Sequence, residues 1–279
     1  MSTLYGLVGY PLGHSLSPLM QNDAFKRLNM DAHYEAFPIE PVHFESAIGE
    51  LKDKNIQGFN VTIPYKVDIM KHLDEVDPLA KAIGAVNTVV NQDGRYIGYN
   101  TDGEGYVTSL LKAVEGGLSQ KRILIIGAGG AAKAIFYTIA AQHAPEVIAI
   151  CNRTVEKAAV LANELPFSTK TAAMSISDAE KQLDTFDIII NTTSVGMYPN
   201  VDELPLALTL LQKEAVVSDI IYNPLKTKLL KEAEAKGAGT HNGVGMFVLQ
   251  GALAFEKWTN VRPDEEAMEH IVLSTLTKR

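Results

Sequence analysis

Residues 122–132 read Arg-Ile-Leu-Ile-Ile-Gly-Ala-Gly-Gly-Ala-Ala, and this stretch decides the fold. Four aliphatic residues lead into a Gly-x-Gly-x-x-Ala pattern made by Gly127, Gly129 and Ala132, and an alanine-rich helical pattern follows over residues 131–142. A strand, a tight glycine turn and a helix start in this order are typical of dinucleotide binding. A glycine turn without a ligand is the alternative, but it does not explain the strand before the turn and the helix after it.

Each small residue of this pattern has an expected role. Gly127 permits the turn, and Gly129 lets the backbone approach a pyrophosphate. Ala132 lets the helix pack closely on the strand, while the free N–H groups of the helix start face the anion. The stretch therefore predicts a phosphate-binding turn.

Bulk properties exclude several classes of protein. The chain has 279 residues, 46% of them hydrophobic, which suits two domains that each bury a core. A net charge of −8 without a basic block argues against nucleic-acid binding. We expect no signal peptide at the observed start and no membrane span, because no apolar run approaches about 20 residues. Cys151, the one cysteine, ends an apolar run and is expected in a buried strand, so the sequence predicts a soluble, cytoplasmic protein.

The second half of the chain alternates short apolar runs with amphipathic stretches. The predicted strands are residues 122–126, 147–151, 171–174, 188–191, 216–220 and 239–241. The predicted helices are residues 131–142, 155–164, 177–183 and 226–236. Continuous apolar strands are typical of a parallel sheet with helices on both faces. This pattern predicts a doubly wound, Rossmann-type domain over residues 104–241.

The first hundred residues predict a separate, smaller α/β domain. Its predicted strands are residues 4–9, 33–38, 58–62, 85–91 and 96–99, and the last two flank Asp93-Gly94, a hairpin signal. Helices are predicted over residues 17–28, 43–54 and 65–73. A helix from the Thr101–Glu104 capping box to about Ala113 carries the chain onward. Helical stretches at 247–257 and 264–277 are expected to pack back on the first domain, so residues 1–103 plus 242–279 form one domain.

The end of the second Rossmann strand indicates which dinucleotide is bound. An enzyme that prefers NAD usually has an acidic residue there to bond the ribose 2′-hydroxyl. Here Cys151 is followed by Asn152, Arg153 and Thr154, with Lys157 one turn later. These cations and the hydroxyl suit the extra phosphate of NADP. The alternative, a helix start capped by Thr154 with Arg153 in solvent, is compatible with NADP binding.

Two ionisable residues are candidates for proton transfer. Pro64 is a favoured helix-start residue, which would place Lys66 in the first turn of the helix predicted over residues 65–73. The positive helix end there disfavours an ammonium and so suits an acid/base lysine, although a solvated surface charge is the ordinary alternative. Asp102 is either a helix cap or, because Thr101 can supply the cap, a carboxylate facing a cleft. Lysine and aspartate together could move a proton while a nicotinamide carries the hydride.

Two hydroxyls lie close together early in the chain. Ser15 and Ser17 have the spacing of one strand-like face, but Ser17 followed by Pro18 also reads as a helix cap, which leaves only Ser15 unexplained. Neither His14 nor the other histidines show metal-ligand spacing such as His-x-x-x-His, so no metal is predicted.

These pieces together resemble the shikimate dehydrogenase family over nearly the whole chain. The matching stretches are residues 9–18 (Gly-Tyr-Pro-Leu-Gly-His-Ser-Leu-Ser-Pro), 60–66 (Asn-Val-Thr-Ile-Pro-Tyr-Lys), 84–88 (Gly-Ala-Val-Asn-Thr), 98–103 (Gly-Tyr-Asn-Thr-Asp-Gly), 127–131 (Gly-Ala-Gly-Gly-Ala), 152–154 (Asn-Arg-Thr), 191–197 (Asn-Thr-Thr-Ser-Val-Gly-Met), 219–224 (Asp-Ile-Ile-Tyr-Asn-Pro) and 243–246 (Gly-Val-Gly-Met). Long motifs in the family's order make a chance match very improbable.

The resemblance implies reversible, NADPH-dependent reduction of 3-dehydroshikimate to shikimate, on the route to chorismate and aromatic amino acids. It implies that Lys66 is the catalytic acid/base, paired with Asp102. The residues that it implies for the substrate are Ser15, Ser17, Thr62, Lys66, Asn87, Asp102, Tyr222 and Gln250. Those that it implies for NADP are Gly127, Ala128, Gly129, Gly130, Ala131, Asn152, Arg153, Thr154, Lys157, Ile220 and Gly243. The expected partner is this small-molecule substrate, and the expected state is a monomer or homodimer.

Lys157 departs from the family pattern, because relatives often have arginine there and an ammonium cannot make a bidentate contact with a phosphate. Three alternatives stay open. A quinate/shikimate dehydrogenase would differ in its use of quinate and NAD. A catalytically silent NADP-binding regulator would be expected to lose the lysine, the aspartate or the serine pair, all of which are present. An enzyme like methylene-tetrahydrofolate dehydrogenase does not explain Ser15, Ser17 and residues 100–102.

Overall fold

The computed structural model describes residues 2–13 and 15–278. His14, part of the motif over residues 9–18, lies outside the described residues, as do Met1 and Arg279. The chain divides into two compact units, one formed by Met1–Thr101 and Val248–Arg279 and the other by Asp102–Phe247. This division rests on compactness, and the domain limits given above stay a prediction.

The described strands and helices alternate along most of the chain. The strands are β1 (Thr3–Gly9), β2 (Ala32–Pro38), β3 (Gly58–Val61), β4 (Glu75–Val76), β5 (Thr88–Gln92), β6 (Arg95–Tyr99), β7 (Arg122–Ile126), β8 (Val147–Cys151), β9 (Thr171–Met174), β10 (Ile188–Asn191), β11 (Val216–Asp219) and β12 (Gly239–His241). The helices are α1 (Ser17–Arg27), α2 (Phe44–Asp53), α3 (Pro78–Ile83), α4 (Asp102–Leu111), α5 (Gly130–Gln142), α6 (Val155–Asn163), α7 (Ile176–Lys181), α8 (Lys228–Ala235), α9 (Val244–Thr259) and α10 (Glu265–Leu276). None of the helices in residues 2–13 and 15–278 has the length and apolar character needed to cross a bilayer.

The first unit contains a mixed sheet with strand order β2-β1-β3-β5-β6-β4. Strand β1 is parallel to β2 and β3, whereas β5 is antiparallel to both β3 and β6. The hairpin between β5 and β6 turns at Asp93 and Gly94, whose φ angles of 53° and 88° are both in the left-handed region. The hairpin that the Asp-Gly pair predicted is therefore confirmed.

The C-terminal helices complete the core of the first unit. The Phe25 ring of α1 lies 4.8 Å from the Phe255 ring of α9. The Trp258 indole N–H donates to the Val89 carbonyl of β5 at 2.9 Å, and Gln21 Nε2 donates to the Gly251 carbonyl at 3.0 Å. The prediction that the chain returns to its first region after the second sheet is confirmed.

The second unit contains an all-parallel sheet with strand order β12-β11-β10-β7-β8-β9. Read from β7, this is the doubly wound order, and it reverses between β7 and β10. Nearly all residues of β7, β8 and β10 are buried, as expected for continuous apolar strands covered on both faces. The prediction of a Rossmann-type sheet is confirmed, and its strand bounds differ from the structure by at most one residue, at the end of β11.

The helix predicted over residues 65–73 is wrong. These residues form turns followed by a short 3-10 helix at Asp68–His72. The Lys66 carbonyl accepts the Val86 amide at 2.8 Å, while the Met70 amide donates to Val67. In an α-helix the Met70 amide would donate to the Lys66 carbonyl, four residues earlier, so the observed pairing departs from an α-helix at this point. Lys66 therefore does not lie at the positive end of an α-helix.

Helix α3 was not predicted, although its sequence carries ordinary helix signals. The Asp77 carboxylate accepts the amides of Leu79 and Ala80 at 3.0 and 3.3 Å, and Pro78 is the first helical residue. Gly84 ends the helix with a φ of 74°. The predicted strand over residues 85–91 was accordingly placed too early, since β5 begins at Thr88.

Candidate active site

The turn that follows β7 has the geometry that the glycine pattern predicted. Gly127 has a φ of 106°, and a Cβ added to it would lie 2.8 Å from Thr192 Oγ1 and 2.9 Å from Thr193 Cγ2. Its amide donates to the Cys151 carbonyl of the neighbouring strand at 2.8 Å. Both the backbone conformation and the lack of space require glycine here.

The residues after this turn leave the start of α5 accessible. Gly129 precedes the helix and Gly130 begins it, and both are exposed. A Cβ added to either would meet no heavy atom within 4 Å. Ala132, by contrast, is fully buried against the sheet. The backbone N–H groups of the helix start can therefore meet an anion directly.

Exposed cations lie beside this helix start. Arg153, Thr154 and Lys157 are exposed around the beginning of α6. Thr154 occupies the position before the helix, but its hydroxyl makes no capping bond, so the alternative of a helix start capped by Thr154 is not observed. A groove of about 420 Å³ is lined in part by Gly129, Gly130 and Lys157. The donors present fit a pyrophosphate with a further phosphate nearby.

The same groove contains Lys133, which sequence analysis missed. It follows Gly130 by three residues on α5 and lies 5.3 Å above the Tyr137 ring. The sequence did contain a signal for this residue, because Lys133 is a basic residue in the first helical turn after the glycine pattern. The groove walls also carry Glu156 and Glu164, so positive and negative side chains face one space.

Ile220 follows β11 and Gly243 follows β12, so the two residues meet at the same carboxyl edge of the second sheet as the Gly127 turn. A Cβ on Gly243 would lie 1.9 Å from the Ile220 carbonyl oxygen, so only glycine allows the two segments to approach. The Gly243 amide donates to Ile221 at 3.0 Å. Nearby, the ring of Tyr222 packs on that of Phe247 with centroids 5.1 Å apart.

Asp219, which was not predicted from the sequence as a site residue, holds this segment through hydrogen bonds. Its buried carboxylate accepts Asn191 Nδ2 at 3.1 Å, the Ile221 amide at 3.0 Å and the Thr227 hydroxyl at 2.8 Å. Burial raises the pKa of Asp219, and these three hydrogen bonds act against that shift. The carboxylate ties the end of β11 to the Asn191 loop and to the start of α8.

One edge of the first sheet collects the predicted substrate residues of that unit. Strands β1 and β3 are parallel and end together, with Val8 opposite Val61. Antiparallel β5 begins at this edge, where Thr88 lies opposite Asn60, and β6 ends there. Segments that follow β1, β3 and β6 and precede β5 therefore emerge side by side.

These segments carry polar residues that were predicted to bind the substrate or to transfer a proton. Ser15 and Ser17 follow β1, and the Tyr10 amide donates to the Ile63 carbonyl at 3.0 Å. Thr62 and Lys66 follow β3, and Asn87 precedes β5. Asp102 comes directly after Thr101, which follows β6, and it begins α4 in the second unit. Lys66 and Asp102 are both partly buried.

A buried polar network supports this edge from inside the first unit. The Tyr34 hydroxyl donates to Asn60 Oδ1 at 2.8 Å, and Asn60 Nδ2 donates to the Asn87 carbonyl and to Thr88 Oγ1 at 3.2 and 3.1 Å. Asn87 Oδ1 accepts the Thr101 amide at 2.7 Å. Burial raises the pKa of Tyr34 well above its usual value, so its hydroxyl stays a donor. The network joins Asn87 to the residue before Asp102, and Tyr34 and Asn60 were not identified from the sequence.

The serine pair is arranged differently from the prediction. Ser17 is the first residue of α1 rather than its cap, and Leu16 occupies the cap position without a side-chain hydrogen bond. The Ser15 hydroxyl instead accepts the Ser17 amide at 3.3 Å. The local capping role therefore belongs to Ser15, and the Ser17 hydroxyl is the one that needs another explanation.

Gln250 lies on α9, next to a contact with α1. Gln21, one helical turn after Ser17, donates to the Gly251 carbonyl, and its own Oε1 is buried without a partner among the described residues. This glutamine connects the helix of Ser17 with that of Gln250. Within the described part of the chain, no group of three or more His, Cys, Asp or Glu side chains is arranged to hold a metal ion.

Comparisons with known proteins agree along the chain. The family models described as shikimate dehydrogenase substrate binding domain, shikimate / quinate 5-dehydrogenase and shikimate 5′-dehydrogenase C-terminal domain match residues 7–89, 109–202 and 243–273, respectively. A shikimate dehydrogenase (NADP(+)) of Geobacillus sp. (strain WCH70) is 54% identical over 276 residues, which is 99% of each chain.

Solved structures give the same result. A crystal structure of shikimate dehydrogenase in complex with NADP+ has a TM-score of 0.91 and 45% identity, covering 99% of this chain and 96% of the other. The shikimate 5-dehydrogenase of Thermus thermophilus, in complex with NADP(H) and shikimate, has a TM-score of 0.87 and 34% identity, covering 98% and 100%.

Proposed function

The chain belongs to the shikimate dehydrogenase family, and we propose that Lys66, paired with Asp102, performs the proton transfer of that family's reaction here. The reaction is the reversible, NADPH-dependent reduction of 3-dehydroshikimate to shikimate, on the route to aromatic amino acids. The observation that carries the assignment is the shared edge of the first sheet, where the segments of Lys66 and Asn87 emerge beside the one that leads into Asp102.

The proposed roles follow from the charge balance of the reaction. NADPH supplies a hydride to the carbonyl carbon, and the carbonyl oxygen must then gain a proton to become a hydroxyl. The Lys66 ammonium donates that proton, and in reverse its neutral amine accepts one. The Asp102 carboxylate accepts a hydrogen bond from a substrate hydroxyl and so orients the reacting carbon.

The remaining substrate contacts suit a small polyhydroxylated acid. The proposed residues are Ser15, Ser17, Thr62, Asn87, Tyr222 and Gln250. Hydroxyl and amide groups can both donate and accept, so they match a ring that carries several hydroxyls. Ser15 and Ser17 together offer two hydroxyls for the carboxylate.

For the cofactor, we assign the pyrophosphate to the turn from Gly127 to Ala131 at the start of α5, in which Gly129 and Gly130 are exposed. Asn152, Arg153, Thr154 and Lys157 then contact the 2′-phosphate, which NADP has and NAD lacks. Ile220 and Gly243 line the nicotinamide end. The open space at Gly129 and Gly130 and the exposed cations at α6 support this assignment.

Loss of NADPH absorbance with 3-dehydroshikimate as oxidant, with NADH in parallel, tests the substrate and the cofactor together. Lys66→Met keeps the aliphatic stem and removes the amine, so we expect kcat to fall by about 1,000-fold. NADPH affinity, measured by fluorescence titration, should not change. Lys71→Met is the matched control, since Lys71 is exposed and paired with Asp68 at 3.0 Å. Normal turnover of Lys66→Met would refute the proposed role.

Three further assignments complete the proposal. We place the enzyme in the cytoplasm, where NADPH is generated, and fractionation of cells tests this. A monomer or homodimer is expected, and light scattering after size-exclusion chromatography distinguishes the two. The domain limits at residues 103/104 and 241/242 are tested by limited proteolysis.

A further inference from the structure

A continuous chain of hydrogen bonds lies inside the second unit, apart from the residues assigned above. The Tyr106 hydroxyl lies 2.5 Å from Ser218 Oγ, and Ser218 Oγ lies 2.8 Å from His241 Nδ1. The other ring nitrogen, His241 Nε2, lies 2.7 Å from Ser109 Oγ. We call Tyr106, Ser109, Ser218 and His241 the His241 cluster.

The cluster begins and ends on helix α4. Tyr106 and Ser109 are four and seven residues after Asp102, so all three lie along one face of the helix. Ser218 belongs to β11 and His241 ends β12, which makes the partner side part of the sheet. The Tyr106 and His241 rings also meet edge to face, with centroids 5.8 Å apart. Hydrogen bonds thus fix two points on the Asp102 face of α4 to the sheet.

The backbone around the cluster is closely packed. A Cβ added to Gly245 would lie 1.9 Å from Ser109 Oγ, so the Ser109 hydroxyl fills the space that a larger residue in the first turn of α9 would need. On another side of α4, a Cβ on Gly103 would lie 2.1 Å from Thr138 Oγ1. The Thr138 hydroxyl is buried and has no hydrogen-bond partner among the described residues, so its contact with α4 is packing alone.

The His241 ring is neutral at neutral pH. Burial lowers the pKa of His241 to about 4, and burial also raises the pKa of Tyr106. A neutral imidazole carries one N–H, so one ring nitrogen donates and the other accepts. With hydroxyls at both nitrogens, each bond of the chain has a donor and an acceptor.

We propose that the His241 cluster is a positioning device for Asp102: it fixes the rotation and height of α4 so that the carboxylate at the start of this helix meets the substrate. Its members are positioning residues, because they act through Asp102. The inference rests on the proposed role of Asp102. An error of about 1 Å in the position of a catalytic group can cost up to about 100-fold in rate, so even a small shift of α4 is measurable.

Tyr106→Phe and Ser109→Ala each remove one end of the chain and keep the packing. We expect each to lower kcat by about tenfold while the Kd for NADPH, from fluorescence titration without substrate, stays within about twofold. Thr138→Val is the matched control, because it removes a buried hydroxyl that contacts α4 without a hydrogen bond. It should leave kcat unchanged.

The decisive measurement repeats the substitutions in an Asp102→Asn background. If the cluster acts through Asp102, Tyr106→Phe and Ser109→Ala should lower kcat there by less than about twofold, whereas a general structural defect would still lower it about tenfold. A full tenfold loss in that background, a matching loss in Thr138→Val, or wild-type kcat in both single variants would overturn the inference. Wild-type kcat in Asp102→Asn alone would instead overturn the proposed role of Asp102. Should Tyr106→Phe fail to fold, Ser109→Ala carries the test.

Discussion

The two sheets of this protein differ in the groups that they place at the proposed binding sites. In the second unit, strands β7, β8 and β10 are buried and almost entirely apolar, and the assigned cofactor contacts are backbone amides and exposed cations. In the first unit, the two central strands of the sheet, β3 and β5, carry the buried residues Asn60 and Thr88, and hydrogen bonds connect these residues to Asn87 and Thr101. A sheet that presents backbone to a ligand can be filled with any well-packed apolar residues. A sheet that presents side chains needs a second layer of polar groups to hold them.

The sharpest test of this difference is Asn60→Leu, which keeps the approximate volume and removes both polar atoms. The buried Tyr34 hydroxyl loses its acceptor, and Asn87 and Thr88 each lose a donor. We expect the free energy of unfolding to fall by about 3 kcal/mol, measured by urea denaturation.

Asn152→Ala in the second unit is the counterpart, because the side chain of Asn152 donates to a carbonyl of its own loop, that of Thr154, at 2.8 Å. Its cost should stay below about 0.5 kcal/mol. Adding Tyr34→Phe to Asn60→Leu removes the hydroxyl that lost its acceptor and should restore part of the stability. Equal costs for Asn60→Leu and Asn152→Ala would contradict the comparison.

His241 in the second unit has a lowered pKa, and this shift predicts a pH-dependent stability. His241 has a pKa of about 4 in the folded protein and an ordinary value of 6.5 when unfolded. Between these values the unfolded chain holds a proton that the folded protein does not. Stability is therefore complete above about pH 6.5 and declines as the pH falls toward about 4. The loss between about pH 7.5 and about pH 5 should be about 2 kcal/mol.

Denaturation of wild type and His241→Asn at both pH values isolates this contribution. His143 and Asp219 also have shifted pKa values, but they are present in both proteins and cancel in the difference. The variant should be less stable at neutral pH and less sensitive to acid. The same acid sensitivity in both proteins would show that His241 is not held neutral by burial.

A third test exploits the exposed cations of the second unit. Arg153→Ala should weaken NADPH binding about tenfold and leave NADH binding unchanged, since only NADPH offers a 2′-phosphate. Fluorescence titration without substrate gives both constants. Turnover at saturating NADPH should remain near wild type, in contrast to Lys66→Met. A parallel loss of NADH affinity would place Arg153 elsewhere on the cofactor.

The contrast between the sheets also explains what could be predicted from the sequence. Continuous apolar runs such as Ile123–Ile126 leave one plausible structure, a strand buried on both faces, and the Gly127 pattern fixes where it ends. The second sheet was accordingly predicted almost to the residue. In the first sheet, the Asp93-Gly94 pair predicted its structure equally well, because few turns other than those of a hairpin use this pair.

The predictions failed where tertiary contacts, rather than the local sequence, determine the structure. Nothing local in residues 65–73 reveals that the Val86 amide takes the Lys66 carbonyl. The network from Tyr34 to Thr101 joins residues far apart in sequence, so each looked like an ordinary polar residue of a strand or loop. Asp77 and Gly84, by contrast, were local signals for α3 that were simply overlooked.

The smallest expected effect concerns Lys157, the proposed cofactor residue where the sequence predicted a departure from the family pattern. Lys157 is exposed on the first turn of α6, and its ammonium offers a phosphate single hydrogen bonds rather than a bidentate pair. Lys157→Arg should therefore tighten NADPH about threefold and leave NADH unchanged, whereas Lys157→Met should weaken NADPH by a similar factor. Lys170→Arg, a charge-conserving change outside the groove-lining set, is the control. If Lys157→Arg tightens both cofactors equally, the side chain meets a group that they share, and selectivity for NADP rests on Arg153 and its neighbours alone.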